Sequence, residues 1–220
     1  MCGRFTLTQD LGYLAERFDF PLPEVEYRPA YNTAPTDRVL GVTHEGRRAA
    51  EMLRWGLVPS WAKDVKVGAR MINARAEGVA TSGAFRQSFR RRRCLVLADG
   101  FYEWVRSAGG RTAYRIGLKD WEPFAFAGLW SAWCSPDGDT VSSCSIITCP
   151  PNDLVAPIHD RMPVILSEAD EGAWLDPALD DQGALLALLA PYPAEGMEAY
   201  RVSSAVNSVR NRGPECLAPA

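Results

Sequence analysis

The sequence predicts a mainly antiparallel α+β fold in a single domain that spans residues 1–220. Strand-like stretches follow one another with few long helical stretches between them, which argues against a doubly wound parallel sheet. The chain contains no internal repeat, low-complexity tract or convincing linker. A chain of this length buries roughly 70% of the surface that its unfolded form exposes, so it needs neither a disulfide nor a metal to fold.

The individual elements follow from periodicity and turn signals. Residues 8–18 predict a short amphipathic helix with Thr8 as its N-cap, because apolar residues recur at helical spacing from Leu11 to Phe18. A proline-rich loop follows, and a glycine-containing turn at 107–110 joins two strands of a hairpin. Strands are expected at 39–43, 49–55, 94–105, 111–118, 124–133, 141–148 and 163–166, with further helices at 84–90, 168–175 and 181–190.

Composition limits the function classes that fit the chain. A net charge of -3 and a pI of about 5.5 exclude a strongly basic nucleic-acid binder, so a nucleic-acid site must be a local basic patch. The six cysteines lack C-x-x-C spacing and there are two histidines, which argues against structural zinc; we expect no metal and no cofactor. The N-terminus has no apolar signal region and no apolar run approaches the ~18 residues of a membrane span. We therefore expect a cytoplasmic protein with free thiols and no membrane partner.

Cys2 is the first candidate for chemistry. Removal of Met1, which aminopeptidases perform when the second residue is small, leaves a residue that carries both a thiol and an α-amine. In unperturbed form these groups titrate near ~8.5 and ~7.7–8, so both are partly available as nucleophiles at neutral pH. With an aldehyde, the amine forms a Schiff base and the thiolate closes a five-membered thiazolidine ring. The second step is intramolecular, which gives it a large effective concentration.

Two titratable residues are candidates for acid–base work. His159, in PIHDRMP, lies beside Asp160 and Arg161 and fits either a general acid–base role or a structural histidine in a turn. Glu103, in ADGFYEW, shares a strand face with apolar neighbours, where burial would raise its pKa and let it move protons near neutrality. The alternative for Glu103 is an edge-strand position whose carboxylate reaches water.

Other polar and aromatic residues suit contacts with a nucleic acid. In MINARAEG, Asn73 fits orientation of a substrate oxygen and Arg75 fits a phosphate, although both residue types are ordinary in loops. The segment FRQSFRRRRC carries five arginines within eight residues, which suits phosphate contacts or a solvated basic face. Trp55 fits a core strand, whereas Trp61, in a Pro/Ser loop, is the better candidate for base stacking.

Taken together, several segments resemble the SRAP family, the SOS-response-associated peptidases or abasic-site processing proteins. The resemblance covers nearly the whole chain, and the segments occur in a fixed order. They are MCGRF at the start, YNTAPT (31–36), RWGLVPSWAKD (54–64), MINARAEG (71–78), RRCLVLADGFYEW (92–104), IHDRMPVIL (158–166) and VSSAVNSVRN (202–211).

The resemblance implies a barrel-like antiparallel core with peripheral helices and a positively charged groove for single-stranded DNA. It implies a monomer that acts on abasic sites in DNA repair, nucleoid-associated when on DNA, by a thiazolidine crosslink through the mature N-terminal Cys. Ala62 stands where some members have a second tryptophan, and Gly83 where some have a groove arginine, with Arg86 nearby as a substitute. The implied active site is Cys2, Asn73, Glu103 and His159, and the implied DNA groove is lined by Arg4, Pro35, Trp61, Arg75, Arg86, Thr148 and Arg161.

Two other functions remain open at this level. Cys2 with Glu103 and His159 could instead attack an amide carbonyl, as in an N-terminal-nucleophile peptidase or autoprotease. A non-covalent single-stranded DNA binding module is the second alternative, and it predicts salt-sensitive binding that does not depend on Cys2. Within the crosslinking hypothesis, β-elimination from the Schiff base predicts weak lyase activity.

Overall fold

The computed structural model describes residues 2–107 and 110–220. Short 3-10 turns and four α-helices surround the strands within these ranges. The helices are α1 (Leu11–Arg17), α2 (Arg86–Arg91), α3 (Glu168–Leu175) and α4 (Gln182–Ala187). The strands are β1 (Phe5–Leu7), β2 (Ala30–Thr33), β3 (Arg38–His44), β4 (Arg48–Trp55), β5 (Asn73–Arg75), β6 (Arg93–Ala98), β7 (Gly100–Ser107), β8 (Gly110–Leu118), β9 (Phe124–Cys134), β10 (Thr140–Cys149), β11 (Met162–Pro163), β12 (Ile165–Leu166) and β13 (Met197–Arg201).

Five strands close into a barrel. The hydrogen-bonded order β10-β4-β3-β6-β9 returns to its start because β9 also pairs with β10. Only the β4–β10 contact in this ring is parallel, and it spans Arg54 and Trp55 on β4. Closure leaves the ring without a free edge. The expected α+β fold with a mainly antiparallel, barrel-like core is therefore confirmed.

A second antiparallel sheet, in the order β13-β8-β7-β1-β2, lies against the barrel. Strand β1 joins the two layers through Phe5, whose ring packs edge-on against Trp55 at 5.0 Å and against Phe126 at 5.8 Å. All three rings are buried. Because Phe5 is fixed in the core, the residues just before it, Cys2 to Arg4, are held at one end of this sheet.

Some expected boundaries were wrong. The first helix begins at Leu11, and its N-cap is Asp10, whose side chain accepts a hydrogen bond from the Tyr13 N–H. Thr8 instead donates its hydroxyl to Asp99. The continuous strand expected at 94–105 is two strands that break at Asp99, where the chain leaves the barrel and enters the second sheet.

The other elements match the sequence more closely. The helix expected at 168–175 has the bounds of α3, whereas those expected at 84–90 and 181–190 are shorter. The strand expected at 163–166 is interrupted at Val164 and forms parts of β11 and β12. The centre of the expected turn at 107–110 lies outside the described residues. The strands expected at 39–43, 49–55, 111–118, 124–133 and 141–148 all lie within observed strands.

Candidate active site and nucleic-acid interface

A cleft opens where β7 extends beyond β1. Strand β1 pairs with β7 only at Phe101 and Gly100, whereas β8 pairs with β7 from Phe101 to Ser107. The later part of β7 therefore has β8 along one edge, and β1 does not extend along the other. The cleft holds about 340 Å³. It is lined by Gly3, Arg4, Glu103, Trp104, Arg106, Arg111, His159 and Asn207.

Cys2 is buried directly behind this cleft. Its side chain is 0% exposed, and its carbonyl oxygen accepts a hydrogen bond of 2.8 Å from the Asn73 Nδ2. Burial raises the pKa of the Cys2 thiol, and the nearby Glu103 charge raises it further. The thiol at rest is therefore protonated at neutral pH, unlike the partly ionised thiol expected from unperturbed values.

Asn73 is positioned by a short parallel ladder. It begins β5, which pairs with β10 at Ile146. While its Nδ2 holds Cys2, its Oδ1 is buried and has no hydrogen-bond partner among residues 2–107 and 110–220. A buried amide oxygen without a partner carries a free-energy cost, so this oxygen is placed to accept from a bound hydroxyl or amine.

Glu103 lies on β7 and is 4% exposed. Burial raises its pKa above the ordinary glutamate value, against the opposing effect of the His159 charge. The expectation of a raised pKa is confirmed, and the alternative of a carboxylate that reaches water is wrong. A carboxyl group with a raised pKa can both take up and release a proton closer to neutrality.

His159 faces Glu103 from the turn that precedes β11. Its Nε2 is 3.9 Å from a Glu103 carboxylate oxygen. Two neighbours compete for Nδ1, the Arg161 backbone N–H at 3.0 Å and an Asp160 carboxylate oxygen at 2.9 Å. The backbone N–H suits a ring whose Nδ1 is unprotonated, and the carboxylate suits one whose Nδ1 carries a proton. Both protonation states of the ring thus have a partner at Nδ1.

The Arg161 side chain does not face open solvent. Its two terminal nitrogens lie 2.6 and 3.0 Å from the two Glu77 carboxylate oxygens, and one also donates to the Thr148 carbonyl at 2.6 Å. Hydrogen bonding from Arg161 lowers the pKa of Glu77. Thr148 itself is 0% exposed and lies behind Arg161. A DNA contact by Thr148 would therefore pass through Arg161 rather than be direct.

Arg4 forms another wall of the cleft and is held by the C-terminal segment. Its Nη1 donates to the Asn32 side-chain oxygen at 2.7 Å and to the Val206 carbonyl at 2.9 Å. Asn32 in turn donates to backbone carbonyls at Ser208 and Asn211. The conspicuous VSSAVNSVRN segment therefore fixes the orientation of Arg4.

Trp61 and Arg86 lie together, but at a different cleft. This second cleft holds about 170 Å³ and also includes Gly83 and Arg92 in its lining. Trp61 is 63% exposed, which leaves its ring open for stacking. Because Gly83 and Arg86 line the same cleft, Arg86 can take the place of the groove arginine that some family members have at the position of Gly83.

The remaining sequence candidates divide between surface and core. Arg75 is exposed one residue beyond Ala74 on β5, and Pro35 is half-buried between β2 and β3. Trp55 is a core residue, as expected. Arg93 is buried rather than available to phosphates, and its guanidinium donates to backbone carbonyls at the ends of α2 and α3.

Sequence reasoning missed four residues that line the cleft, Trp104, Arg106, Arg111 and Asn207, and it also missed Glu77, which pairs with Arg161. A signal existed for two of them. Arg106 and Arg111 flank the expected hairpin turn symmetrically, so antiparallel pairing places them opposite each other, as observed. Glu77 and Asn207 give no comparable signal because their partners are distant in sequence.

Within the described ranges, no group of three or more His, Cys, Asp or Glu side chains is arranged to hold a metal ion. None of the helices in this part of the chain is both long enough and apolar enough to cross a membrane. The described cysteines, Cys2 included, are all free thiols.

Comparisons with known proteins agree on one family. The family described as SOS response associated peptidase (SRAP) matches residues 1–209. The abasic site processing protein YoqW of Bacillus subtilis (strain 168) is 47% identical, with 99% of each chain covered. The abasic site processing protein HMCES of Gallus gallus is 34% identical over 90% of this chain and 68% of its own. A crystal structure of a Bacteroides thetaiotaomicron protein superposes with a TM-score of 0.88, at 25% identity, over 100% of both chains. The chain therefore belongs to the SRAP family.

Proposed function

We propose that this protein processes abasic sites in single-stranded DNA by a covalent crosslink through Cys2, after removal of Met1. The observation that carries the proposal is the cleft in which Glu103 and His159 face each other at 3.9 Å, with Cys2 held by Asn73 behind it. The names of relatives such as YoqW, with 47% identity over nearly the full length, support the same substrate.

The first step opens the abasic sugar, which exists mostly as a closed hemiacetal. The C1′–O4′ bond breaks, O4′ takes a proton from His159, and the anomeric hydroxyl gives its proton to Glu103, leaving an aldehyde at C1′. When His159 donates from Nε2, the proton that remains on Nδ1 is held by the Asp160 carboxylate at 2.9 Å. Paired groups of this kind are the usual acid and base of proton-transfer catalysis.

The second step forms two bonds to C1′. The Cys2 amine adds to the aldehyde, and one amine proton passes to the carbonyl oxygen. Glu103 gives that oxygen a second proton, so that it leaves as water and a protonated Schiff base remains. The Cys2 sulfur then adds to the same carbon, and the electron pair of the C=N bond moves to nitrogen. Because burial raises the pKa of the thiol, its proton needs an acceptor, and Glu103 is the adjacent base. The sum is one thiazolidine and one water.

For DNA binding, we assign flanking phosphates to Arg4, Arg75 and Arg161. Trp61 and Arg86, at the second cleft, would contact the strand farther from the abasic site, Trp61 by base stacking, and Pro35 would contact the strand as well. Both terminal nitrogens of Arg161 already donate to Glu77. Arg161 would therefore bind a phosphate only through the N–H groups that Glu77 leaves free. Thr148 supports Arg161 from behind. An abasic site has no base to unstack, so a splayed strand costs little to bind. The protein would act as a monomer in the cytoplasm, at damaged DNA during the SOS response.

A peptidase activity is the second candidate, favoured by the family description itself. In that reaction the Cys2 sulfur would attack an amide carbonyl, His159 would protonate the leaving amine, and water would then hydrolyse the thioester to release the acid and restore the thiol. The two activities are separated by substrate: incubation with abasic DNA and with peptides, scored for adduct and for cleavage. Strand cleavage of abasic DNA would reveal β-elimination from the Schiff base, a lyase side reaction.

The direct test is crosslinking of an abasic single-stranded oligonucleotide, read as a denaturing gel shift. Wild type should give a stable adduct and Cys2→Ala none. Cys2→Ala and Cys2→Ser both retain the α-amine once Met1 is removed, so each should give at most a reversible Schiff base or strand cleavage, without a stable ring. Cys134→Ala, at an exposed free thiol, is the matched control and should behave as wild type. A stable adduct with Cys2→Ala would refute the proposal.

A further inference from the structure

Arg106 and Arg111 form a basic pair at the outer end of the cleft. They are direct partners across β7 and β8, and both line the cleft. Directly opposite residues of an antiparallel pair project from the same face, with Cβ atoms about 5 Å apart. Two guanidinium groups are thereby held close together at the mouth of the cleft that contains Glu103 and His159.

Like charges placed opposite each other destabilise a sheet. Both arginines are exposed, and neither forms an ion pair within residues 2–107 and 110–220. The chain as a whole is mildly acidic, so a concentration of positive charge here does not follow from composition. An unfavourable pair without an internal partner is typical of a site that binds an external anion.

The opposite walls of the cleft add to this positive charge. Arg4 lies with its guanidinium carbon 5.9 Å from the Trp104 ring centre. The Trp104 indole is itself oriented by a 2.7 Å hydrogen bond to Asn207. Among the described lining residues the only carboxylate is Glu103, at the inner end, whose raised pKa disfavours its charge. The outer part of the cleft is therefore cationic, with one flat aromatic wall.

We propose that Arg106 and Arg111 bind the phosphodiester of a nucleotide that flanks the abasic sugar, so that the cleft holds one nucleotide beyond the reacting one. The inference rests on the proposed function, because it places the abasic sugar at Glu103 and His159. The cleft volume of about 340 Å³ lies at the small end of ligand sites, so it limits the cleft to the abasic sugar and the one neighbouring nucleotide. The two guanidinium groups can share the oxygens of one phosphate through charge-assisted hydrogen bonds.

The test uses single-stranded oligonucleotides with a tetrahydrofuran abasic analogue, which has no aldehyde and reports binding alone. Three strands carry the analogue internally, at an unphosphorylated 5′ end or at an unphosphorylated 3′ end. The double variant Arg106→Gln/Arg111→Gln is compared with Arg28→Gln/Arg47→Gln, which removes the same charge from exposed positions outside the cleft lining. Thermal unfolding at low salt checks the fold, and the first double variant should be no less stable than wild type because a repulsive pair is gone.

The cleft variant should bind the internal analogue about tenfold more weakly than the control variant. Its dependence of log K on log salt should be shallower by about 0.7, the value for one phosphate of a single strand. A strand with the analogue at one end lacks the phosphodiester on that side of the abasic sugar. The weaker binding of the cleft variant should therefore persist with one of the two end-labelled strands and vanish with the other, the one that lacks the phosphodiester bound by Arg106 and Arg111. Equal binding by the two double variants, or an equal defect with all three strands, overturns the inference. Crosslinking of a natural abasic strand by wild type is measured in parallel, and its absence would instead refute the proposed function.

Discussion

Among the single residues, Glu103 offers the clearest test of the proposed chemistry, because its buried environment favours the neutral form of its carboxyl group. Burial raises its pKa, so its contribution to stability is full below the unfolded pKa and is lost as the pH rises through the folded pKa. We expect Glu103→Gln to gain stability relative to wild type as the pH rises from about 4 to 8. Urea unfolding at several pH values measures this, and a constant difference between the two proteins would contradict it.

The same substitution should remove function. If Glu103 moves protons at C1′, Glu103→Gln should slow crosslinking at saturating DNA by about 100-fold or more. Glu171→Gln is a useful control, since Glu171 is also a buried glutamate with a raised pKa, but it is paired with Arg17 away from the cleft. Crosslinking by Glu103→Gln at the wild-type rate would show that the carboxyl group is not the base.

Glu77 is a further residue whose role the distances suggest. Both oxygens of its carboxylate bind the terminal nitrogens of Arg161, and the Arg161 backbone N–H donates to His159 Nδ1 at 3.0 Å. Glu77 therefore helps to position His159. Glu77→Gln should slow crosslinking at saturating DNA by about tenfold, because small displacements of a catalytic group are costly. It should not weaken binding of the tetrahydrofuran analogue, because a negative charge beside the groove is lost.

The control for Glu77→Gln is Glu26→Gln, which removes the carboxylate of another glutamate–arginine pair, with Arg28, at the exposed surface. Stopped-flow or quenched-flow experiments over a range of DNA concentrations measure the maximal crosslinking rate and the DNA affinity separately, and so show which of the two Glu77 affects. Weaker binding with an unchanged maximal rate would assign Glu77 to the DNA grip instead.

At the scale of elements, the contacts that Asp99 makes with β1 determine where Cys2 lies. Asp99, at the break between β6 and β7, accepts from the Thr6 and Thr8 hydroxyls at 2.5 Å, so it ties the middle of β1 and the residue just after it to the barrel. It also pairs with Arg115 at 3.1 Å, and both side chains are buried. The ring of Trp121 covers the guanidinium at 4.1 Å.

Removal of this carboxylate leaves a buried guanidinium without its charge partner. Asp99→Ala should therefore lower the free energy of unfolding by about 3–5 kcal/mol. The control Asp180→Ala, at an exposed aspartate, should change it by less than about 0.5 kcal/mol. Denaturant unfolding of both variants measures the difference, and a small effect of Asp99→Ala would mean that β1 is anchored mainly by Phe5.

The same element shows how far the sequence predicts the fold. Residues 94–105 look like one strand because residues 94–98 and 101–102 are apolar and buried on both sides of the break. The local signal for the change of sheet is the Asp99–Gly100 pair, a dipeptide typical of turns. Helix α3 was predictable because Ser167 caps it and Trp174 and Leu175 carry its buried face. Thr8 was the wrong N-cap because its hydroxyl has a stronger tertiary partner in Asp99.

At the scale of the whole molecule, closure of the barrel depends on a pairing without a sequence signal. The β9–β10 hairpin follows from chain order, but the parallel contact of β10 with β4 joins residues far apart in sequence. The candidate catalytic residues were found because each lies in a recognisable segment, whereas Glu77 and the Arg106–Arg111 pair emerge only once strands are paired. The single domain of residues 1–220 stays a prediction.

Intact-mass spectrometry of the crosslinked product is the most direct measurement of whether the whole chain reacts through its new N-terminus. We expect one species with the mass of the protein without Met1 plus the abasic strand, less one water. After nuclease and protease digestion, the modification should lie on the N-terminal Cys2 peptide. An adduct that retains Met1, or one attached to another residue, would rule out a thiazolidine at Cys2.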